Sequence, residues 1–352
     1  MKKLNFLCSE LSGTGGTETV LVKVLNHLIK KYDITLTLSN EPEKSEWLER
    51  LNSKVKVLTF KGNNNLAKLV FISKIFLFSS NTDFISLSPK MILIGNKLRK
   101  IFKKKYRIIS WFHYSLTDQD MFDTEHTLPY ADSHLAISRV IRQQLLDLNI
   151  PKENISLIYN PVEEADIIPK PVETSNKDVH LFYAGRVILD GQKNLREMFT
   201  GISNMADVYL DIYGTSNEIK ECQKFAKQLN VSDRVVFHGW TPDLWKKIKV
   251  RPTALIMTSK YEGLSMVMLE AIAHGIPVIT SRFKGYDDIV QEGINGFSYS
   301  LGDIQALTES INKIAEANLD ARSVKDSISC YYPEKYFEHL DESLEQFLNY
   351  TN

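Results

Sequence analysis

Short apolar segments alternate with helix-like segments along almost the whole chain of 352 residues. In the first half the apolar segments are residues 4–8, 34–38, 55–60, 84–87, 108–112, 135–137 and 155–159, with helical patterns such as 19–31 and 139–149 between them. A second series follows at residues 181–184, 208–213, 235–237, 254–258 and 278–280. Because strands that alternate with helices form parallel sheets, the pattern predicts doubly wound α/β structure.

A polar segment that contains two prolines, residues 163–178, separates the two series. It has the composition of a linker, and the chain is too long for one ordinary core. The sequence therefore predicts two Rossmann-like domains, residues 1–165 and 166–332, that face each other across a ligand-binding cleft. Residues 333–352 carry apolar side chains at helical spacing, which predicts a separate C-terminal helix.

The composition excludes some classes of protein. Lys plus Arg and Asp plus Glu both number 43, so the overall charge does not indicate a nucleic-acid partner. Three cysteines lie far apart without metal or disulfide spacing, as is usual in a reducing cytoplasm. The first residues have too short an apolar centre for a signal peptide, and no segment is apolar for long enough to cross a bilayer. We therefore expect a cytoplasmic protein.

The apolar and basic pattern of residues 69–107 can be interpreted in two ways. The segment 69–78 is strongly apolar, and 97–107 is strongly basic. Together they predict a peripheral contact with the anionic inner face of the cell membrane. The alternative is a buried helix followed by a solvated basic turn.

Two carboxylates, Glu262 and Glu270, flank a predicted strand-to-helix turn. The apolar run 253–258 precedes them, and Gly275 and Pro277 end the helix that contains Glu270. Free backbone N–H groups and the positive end of a helix dipole lie between the two carboxylates and favour an anion. A nucleotide sugar, with hydroxyls at both ends and a diphosphate in the middle, fits this pattern. The alternative is a pair of solvated helix carboxylates.

In each predicted domain, one glycine-containing segment follows the first strand. Residues 13–18, Gly-Thr-Gly-Gly-Thr-Glu, open a helix, but Glu18 replaces the third glycine of a dinucleotide fingerprint, which disfavours a dehydrogenase. In the second segment, Arg186 and Lys193 supply cations that could stabilise a leaving phosphate without a metal ion. The alternatives are dipole compensation for Glu18 and ordinary surface positions for the two cations.

Several further positions have both a functional and a structural interpretation. His113 ends an apolar strand, where a histidine can bind a ligand or simply pack. Asp118 and Asp120 spell the Asp-x-Asp of metal-dependent transferases, although short acidic patterns arise readily by chance. Residues 213–215 and 238–240 are predicted turns that could border a nucleotide base, and residues 293–297 are predicted to be a structural turn.

Taken in order, these motifs resemble the retaining glycosyltransferases of the GT-B fold. The likeness rests on Gly15-Gly16-Thr-Glu18, Trp111-Phe-His113, Tyr159-Asn-Pro-Val162, Arg186 to Lys193 and Glu262 to Glu270, and it spans nearly the whole chain. Within the family, the segments Ser-Trp-x-His-x-Ser-Leu and Gly-Gln-Lys are similar to those of bacterial lipopolysaccharide galactosyltransferases. Pro161 stands where the family has glycine, so no role is carried over to Asn160.

The resemblance implies a metal-independent hexosyltransferase without a cofactor, in which the C-terminal helix crosses back to the first, acceptor-side domain. The donor would be a UDP-hexose, with galactose favoured over glucose or N-acetylhexosamine, and the acceptor a glycan or glycolipid such as the lipopolysaccharide core. The implied catalytic residues are Arg186, Lys193, His113, Glu262 and Glu18. The implied donor-binding residues are Gly15, Gly16, Gly263, Leu264, Ser265, Glu270, Gly214, Gly239 and Trp240.

Two other functions remain open at this stage. One is a scaffold that binds a nucleotide sugar without catalysis, and the other is a sugar epimerase of the same fold. The presence of both cations and both carboxylates favours a transferase over the scaffold.

Overall fold

The computed structural model describes residues 1–9, 11, 13, 16–114, 116, 122–171 and 178–349. The chain divides into two compact units. The first comprises residues 1–161 together with 334–352, and the second comprises residues 162–333. The domain boundary expected at residue 165 lies four residues beyond the boundary between these units.

The first unit is built on a parallel sheet of seven strands within the described residues. Its strands are β1 (Lys2–Cys8), β2 (Tyr32–Leu38), β3 (Lys56–Thr59), β4 (Thr82–Ser86), β5 (Ile108–Trp111), β6 (Ser133–Ala136) and β7 (Ile155–Leu157), in the order β3-β2-β1-β4-β5-β6-β7. The helices are α1 (Gly16–Leu28), α2 (Asn65–Phe78), α3 (Pro89–Ile101) and α4 (Arg139–Asp147). Strand β1 lies between β2 and β4, and its residues from Leu4 to Cys8 are buried, as in parallel sheets covered on both faces.

The second unit repeats the architecture with six parallel strands among the described residues. They are β8 (Val179–Ala184), β9 (Val208–Tyr213), β10 (Val235–Gly239), β11 (Ala254–Met257), β12 (Val278–Ser281) and β13 (Gly296–Tyr299), in the order β10-β9-β8-β11-β12-β13. The helices are α5 (Leu195–Ser203), α6 (Ile219–Gln228), α7 (Leu244–Lys247), α8 (Met266–Ala273), α9 (Ile304–Ala317) and α10 (Ala321–Asp326).

Residues 293–297 are more than the turn that the sequence predicts. The Gly293 amide donates to the Gly296 carbonyl to close a turn, but Gly296 also begins the edge strand β13. This strand pairs in parallel with β12 from Val278 to Ser281. A Cβ on Gly296 would lie 2.2 Å from the Val278 carbonyl oxygen, so close strand pairing requires glycine here.

The C-terminal helix α11 (Pro333–Asn349) packs on the first unit, as the resemblance implies. Its apolar side buries Tyr336, Leu340 and Leu344, and the Phe337 ring stacks on the His27 ring at 4.0 Å. Polar contacts add to this packing, since Asp341 lies 3.1 Å from His27. The chain therefore returns to its first unit after it completes the second. Within the described residues, no helix is both long and apolar enough to span a bilayer.

Candidate active site

The centre of the second sheet is a topological switch point. Strands β8 and β11 are neighbours there, and the chain order runs outward from them in opposite directions. Ligands of doubly wound sheets bind outside the carboxyl ends of the strands at such a point. Residues 185–194 follow β8, and residues 258–265 follow β11, so both candidate motifs begin at this edge.

Glycines at the carboxyl ends of β8 and β9 allow the backbone segments to approach one another. Gly214 has a φ of +140°, and a Cβ there would lie 1.8 Å from the carbonyl oxygen of Gly185. The Gly214 amide donates to the carbonyl of Gly239 at the end of β10. Gly214 thus has a steric reason to be glycine, and Gly239 has a conformational one, because its φ is +71°.

Glu262 is the centre of a polar cluster. Its side chain is 9% exposed, and Oε1 lies 2.6 Å from Lys193 Nζ. Ser259 Oγ donates to the same oxygen at 2.6 Å. The Thr258 hydroxyl donates to the carbonyls of Lys193 and Asn194, which fixes the loop that carries the cation. The structure therefore brings Lys193 and Glu262 together as a hydrogen-bonded ion pair.

Gln192 connects this pair to Arg186. Its side-chain oxygen accepts a hydrogen bond from the Arg186 guanidinium. Its nitrogen donates to the Tyr261 carbonyl at 2.9 Å and lies 3.5 Å from Glu262 Oε2. The Gln192 carboxamide thereby links the exposed Arg186 guanidinium to the turn after β11. No role was expected for Gln192 or Ser259 from the sequence, although Gln192 belongs to the Gly-Gln-Lys segment that carries the family resemblance.

The turn before α8 presents backbone donors next to this cluster. Among the described residues, the amides of Gly263, Leu264 and Ser265 have no hydrogen-bond acceptor. Ser265 is the N-terminal cap residue of α8, and its side chain makes no capping hydrogen bond. Free N–H groups and the positive end of a helix dipole favour an anion at this turn.

Glu270 lies in the second turn of α8, on the other side of these amides. Its Oε2 accepts a hydrogen bond from Trp245 Nε1 at 3.0 Å. The Trp245 ring stacks on the ring of His274 at 4.6 Å. Trp245 therefore orients the Glu270 carboxylate, a role that the sequence analysis missed because Trp245 is distant in the chain.

The ends of β9 and β10 carry the aromatic residues predicted to border a nucleotide base. The Tyr213 and His238 rings stack at 4.4 Å, and His238 Nε2 lies 2.5 Å from Asp211. Trp240 follows Gly239 and is 60% exposed. These aromatic side chains lie at the carboxyl ends of β9 and β10, on one side of the switch point.

In the first unit, Glu18 lies in the first turn of α1 and is buried. Its Oε1 accepts a hydrogen bond from the Gly13 amide at 2.6 Å. Gly13 has a φ of +82°, and a Cβ there would lie 2.2 Å from the Lys44 carbonyl oxygen. Glu18 thus fixes the position of Gly13, which follows β1 in the chain. Gly16 begins α1, whereas Gly15 lies outside the described residues.

His113 follows β5, and its ring packs edge-on against the Trp111 ring at 4.5 Å. Its Nε2 is buried and has no hydrogen-bond partner among the described residues. The same is true of Asn160 Oδ1 after β7. A buried polar atom without a partner is rare and calls for an explanation, such as a ligand. Asp118 and Asp120 lie outside the described residues.

Burial lowers the pKa of His113 to about 3, and it lowers the pKa of His134 equally. Because both pKa values are about 6.5 in the unfolded chain, the unfolded state binds more protons below that pH. Stability should therefore fall as the pH drops from 6.5 toward 3. At pH 5 each histidine should cost about 2 kcal/mol of the free energy of unfolding. Urea unfolding of wild type and His113→Asn at pH 7 and pH 5 checks this, and an equal loss in both proteins would contradict it.

Comparisons with known proteins find relatives of this chain in sequence and in structure. The family model described as Glycosyl transferases group 1 matches residues 164–327, which contain the whole cluster around Glu262. The lipopolysaccharide 1,6-galactosyltransferase of Escherichia coli (strain K12) is 30% identical over 351 residues, covering 96% of this chain and 96% of that protein.

Two solved structures share the architecture. The apo form of the lipopolysaccharide outer core galactosyltransferase WaaB has a TM-score of 0.85 at 30% identity, over 97% of this chain and 99% of that chain. The Anabaena protein Alr3699/HepE, solved in complex with UDP, has a TM-score of 0.79 over 97% of this chain and 99% of that chain. At 18% identity, the second likeness is one of fold.

Proposed function

Because this chain belongs to the glycosyl transferases group 1 family, we propose that it transfers a hexose from a UDP-sugar to a hydroxyl of a cell-envelope glycan. The observation that carries the proposal is the cluster of Arg186, Gln192, Lys193, Ser259 and Glu262 at the switch point of the second unit. It combines two cations and a carboxylate with amides that have no acceptor in the described part of the chain, which matches the groups of a nucleotide sugar.

Each part of the donor has a proposed partner. Arg186, Lys193 and the amides from Gly263 to Ser265 would bind the diphosphate. Glu262 would accept hydrogen bonds from the hexose hydroxyls, and Glu270, oriented by Trp245, would accept them from the ribose hydroxyls. Gly214, Gly239 and Trp240 would border the base.

The proposed chemistry needs no covalent help from the protein. The bond between the anomeric carbon and the phosphate oxygen breaks, and a bond to the acceptor oxygen forms on the same face of the sugar. The acceptor proton passes to the leaving phosphate oxygen. Negative charge grows on that phosphate in the transition state, so fixed cations and amides would lower the barrier. Gly15 and Gly16 are proposed as further donors to the diphosphate.

The first unit would contribute the acceptor side. His113 is neutral at physiological pH, because burial lowers its pKa to about 3. Its Nε2, which has no partner among the described residues, is a suitable partner for a sugar hydroxyl. Glu18 is proposed to act near the acceptor through Gly13, whose position it fixes. Galactose is the first donor to test, and the lipopolysaccharide core the first acceptor, because the 30% identical relative is named for that transfer.

A donor screen tests the proposal. UDP release would be measured with UDP-galactose, UDP-glucose and UDP-N-acetylglucosamine, with and without truncated lipopolysaccharide. We expect release that depends on both one donor and the acceptor, and NMR coupling in the product should show retained anomeric configuration. Thermal stabilisation by UDP-sugars without product would instead support a binding scaffold. Conversion of the donor sugar without any acceptor would support an epimerase.

Chelation distinguishes this mechanism from a metal-dependent one. Arg186 and Lys193 are proposed to replace a metal ion at the diphosphate. Addition of about 5 mM EDTA should therefore leave the turnover number unchanged within about twofold. The rate would be measured before and after dialysis against the chelator. A requirement for Mn²⁺ would instead support a metal-binding role for Asp118 and Asp120.

A glycolipid acceptor is held in a bilayer. We accordingly propose that the chain acts in the cytoplasm at the inner face of the cell membrane, with residues 69–107 in contact with it.

A further inference from the structure

Glu197 is a buried carboxylate that the proposed mechanism does not use. It is the third residue of α5, and it is 7% exposed. The nearest cations in the sequence are paired elsewhere, since Lys193 pairs with Glu262. The adjacent Arg196 pairs with Asp190. A carboxylate buried without a cation is costly unless hydrogen-bond donors satisfy it, so the donors to Glu197 indicate what this side chain does.

Both oxygens of Glu197 accept hydrogen bonds, and the two donors come from different parts of the second unit. Oε2 accepts from the side-chain nitrogen of Asn194 at 2.6 Å, and Oε1 accepts from the Gly302 amide at 3.0 Å. Asn194 directly follows Lys193, whereas Gly302 lies in the turn between β13 and α9. Glu197 therefore links the loop that carries Lys193 to the turn after the edge strand.

The surroundings of the Glu197 carboxylate are closely packed. Helices α5 and α9 approach each other, because a Cβ on Gly201 would lie 2.6 Å from the buried Leu307 side chain. Tyr299 of β13 is also buried, and its burial, together with the charge of Glu197, raises the pKa of its hydroxyl. Close packing leaves the carboxylate little freedom to move, so it can hold Asn194 in one position.

Asn194 has a backbone conformation that needs support. Its φ and ψ are +51° and +47°, in the left-handed region that residues other than glycine seldom adopt. It is the N-terminal cap residue of α5, but its side chain makes no capping hydrogen bond and donates to Glu197 instead. The Thr258 hydroxyl holds the same turn through the carbonyls of Lys193 and Asn194. Thr258 and Glu197 together thus fix the turn from which the Lys193 side chain projects.

We propose that Glu197 is a positioning residue for Lys193. Its carboxylate holds Asn194 in the left-handed turn, and the turn directs the Lys193 ammonium toward the leaving phosphate. Glu197 acts through Asn194 and does not touch the donor. A displacement of about 1 Å at a reacting group can lower a rate about 100-fold, so a contact outside the site can control the cation. This role rests on the proposed function, in which Lys193 stabilises the leaving phosphate.

Glu197→Gln tests the role with almost no change in side-chain size. Both carboxylate oxygens act as acceptors, whereas a glutamine offers one acceptor oxygen and an NH₂ group. The substitution should lower kcat for hexose transfer about tenfold and raise the KM for UDP-hexose at most about threefold. Glu292→Gln is a matched control, because Glu292 accepts from the backbone amide of Ser298 in β13, and it should keep the wild-type rate.

Exchanging the two side chains should recover the rate. Asn194→Asp alone places two carboxylates in contact and should lower both kcat and thermal stability. In Asn194→Asp/Glu197→Gln, the new glutamine can donate to the new aspartate and still accept from the Gly302 amide, and aspartate tolerates the left-handed conformation. The exchange should restore at least about half of the wild-type kcat. Recovery of thermal stability without kcat would overturn the inference.

The effect of Glu197 on the rate should depend on Lys193. A positioning residue loses its effect when the group that it positions is absent. Glu197→Gln should therefore lower kcat less than about twofold in the Lys193→Ala background. A loss of about tenfold in both backgrounds would show a general structural role for Glu197 and would contradict the proposed one.

UDP binding separates this inference from the proposed function, because it needs neither acceptor nor transfer. In isothermal titration calorimetry, Glu197→Gln should lower the affinity for UDP about threefold in the wild-type background and leave it unchanged in Lys193→Ala. This dependence on Lys193 without hexose transfer would support the inference and refute the proposed function. Wild-type transfer by Glu197→Gln would do the reverse, and a chain that neither binds UDP nor transfers hexose would overturn both.

Discussion

Replacing Lys193 with alanine is expected to lower the turnover number of hexose transfer by about 100-fold or more, the usual effect of losing one fixed donor to a developing charge. Lys193 Nζ lies 2.6 Å from Glu262 Oε1, at the carboxyl edge where the diphosphate is proposed to bind. The substitution removes a cation from the leaving phosphate and leaves the largely buried Glu262 carboxylate without its partner. Initial rates of UDP release at saturating donor would measure the loss.

Two further variants identify the cause of that loss. Lys260→Ala removes an exposed lysine of the same region, whose Nζ donates to the Asp190 carbonyl at 2.8 Å, and should leave the rate near normal. Lys193→Ala/Glu262→Gln removes the unpaired buried charge and should recover thermal stability, whereas turnover should stay low because Glu262 is itself proposed to bind the hexose. If turnover also recovered, the lysine would act only as the partner of Glu262. Near-normal turnover in Lys193→Ala itself would exclude its proposed role.

Much of the fold could be predicted because parallel strands that are buried on both faces form continuous apolar runs. The run 254–258 corresponds to β11, and 278–280 corresponds to β12. The edge strand β13 was missed because it has only four residues, of which Gly296 belongs to a predicted turn and only two are large and apolar. A strand this short leaves little pattern in a sequence.

The family resemblance named Arg186, Lys193 and Glu262, and the apolar runs located the strand ends that these residues follow. The contacts among the three residues could not be predicted. Whether Lys193 reaches Glu262 depends on the path of the loop 188–194, and that path is set by contacts such as Thr258 to the Lys193 carbonyl. Helix α2 shows the same limit, since a helix apolar on all sides does not reveal which side faces outward.

Replacing Arg186 with alanine is expected to lower the turnover number by about 100-fold while it changes thermal stability little, in contrast to Lys193. Arg186 is exposed, and its guanidinium donates to Gln192, which in turn donates to the Tyr261 carbonyl at 2.9 Å. This chain of contacts directs the cation toward the turn before α8 and leaves other N–H groups of the guanidinium to bind phosphate.

Arg186→Lys keeps the charge but loses the planar, forked geometry, so it should recover only part of the rate. The exposed Arg322, which pairs with Asp326 in α10, offers a matched control, and Arg322→Ala should transfer hexose at the wild-type rate. Because the missing cation acts on the charge that develops in the transition state, kcat should fall more than the affinity for UDP-hexose. A purely raised KM in Arg186→Ala, with kcat unchanged, would show that the guanidinium binds the donor without stabilising its departure.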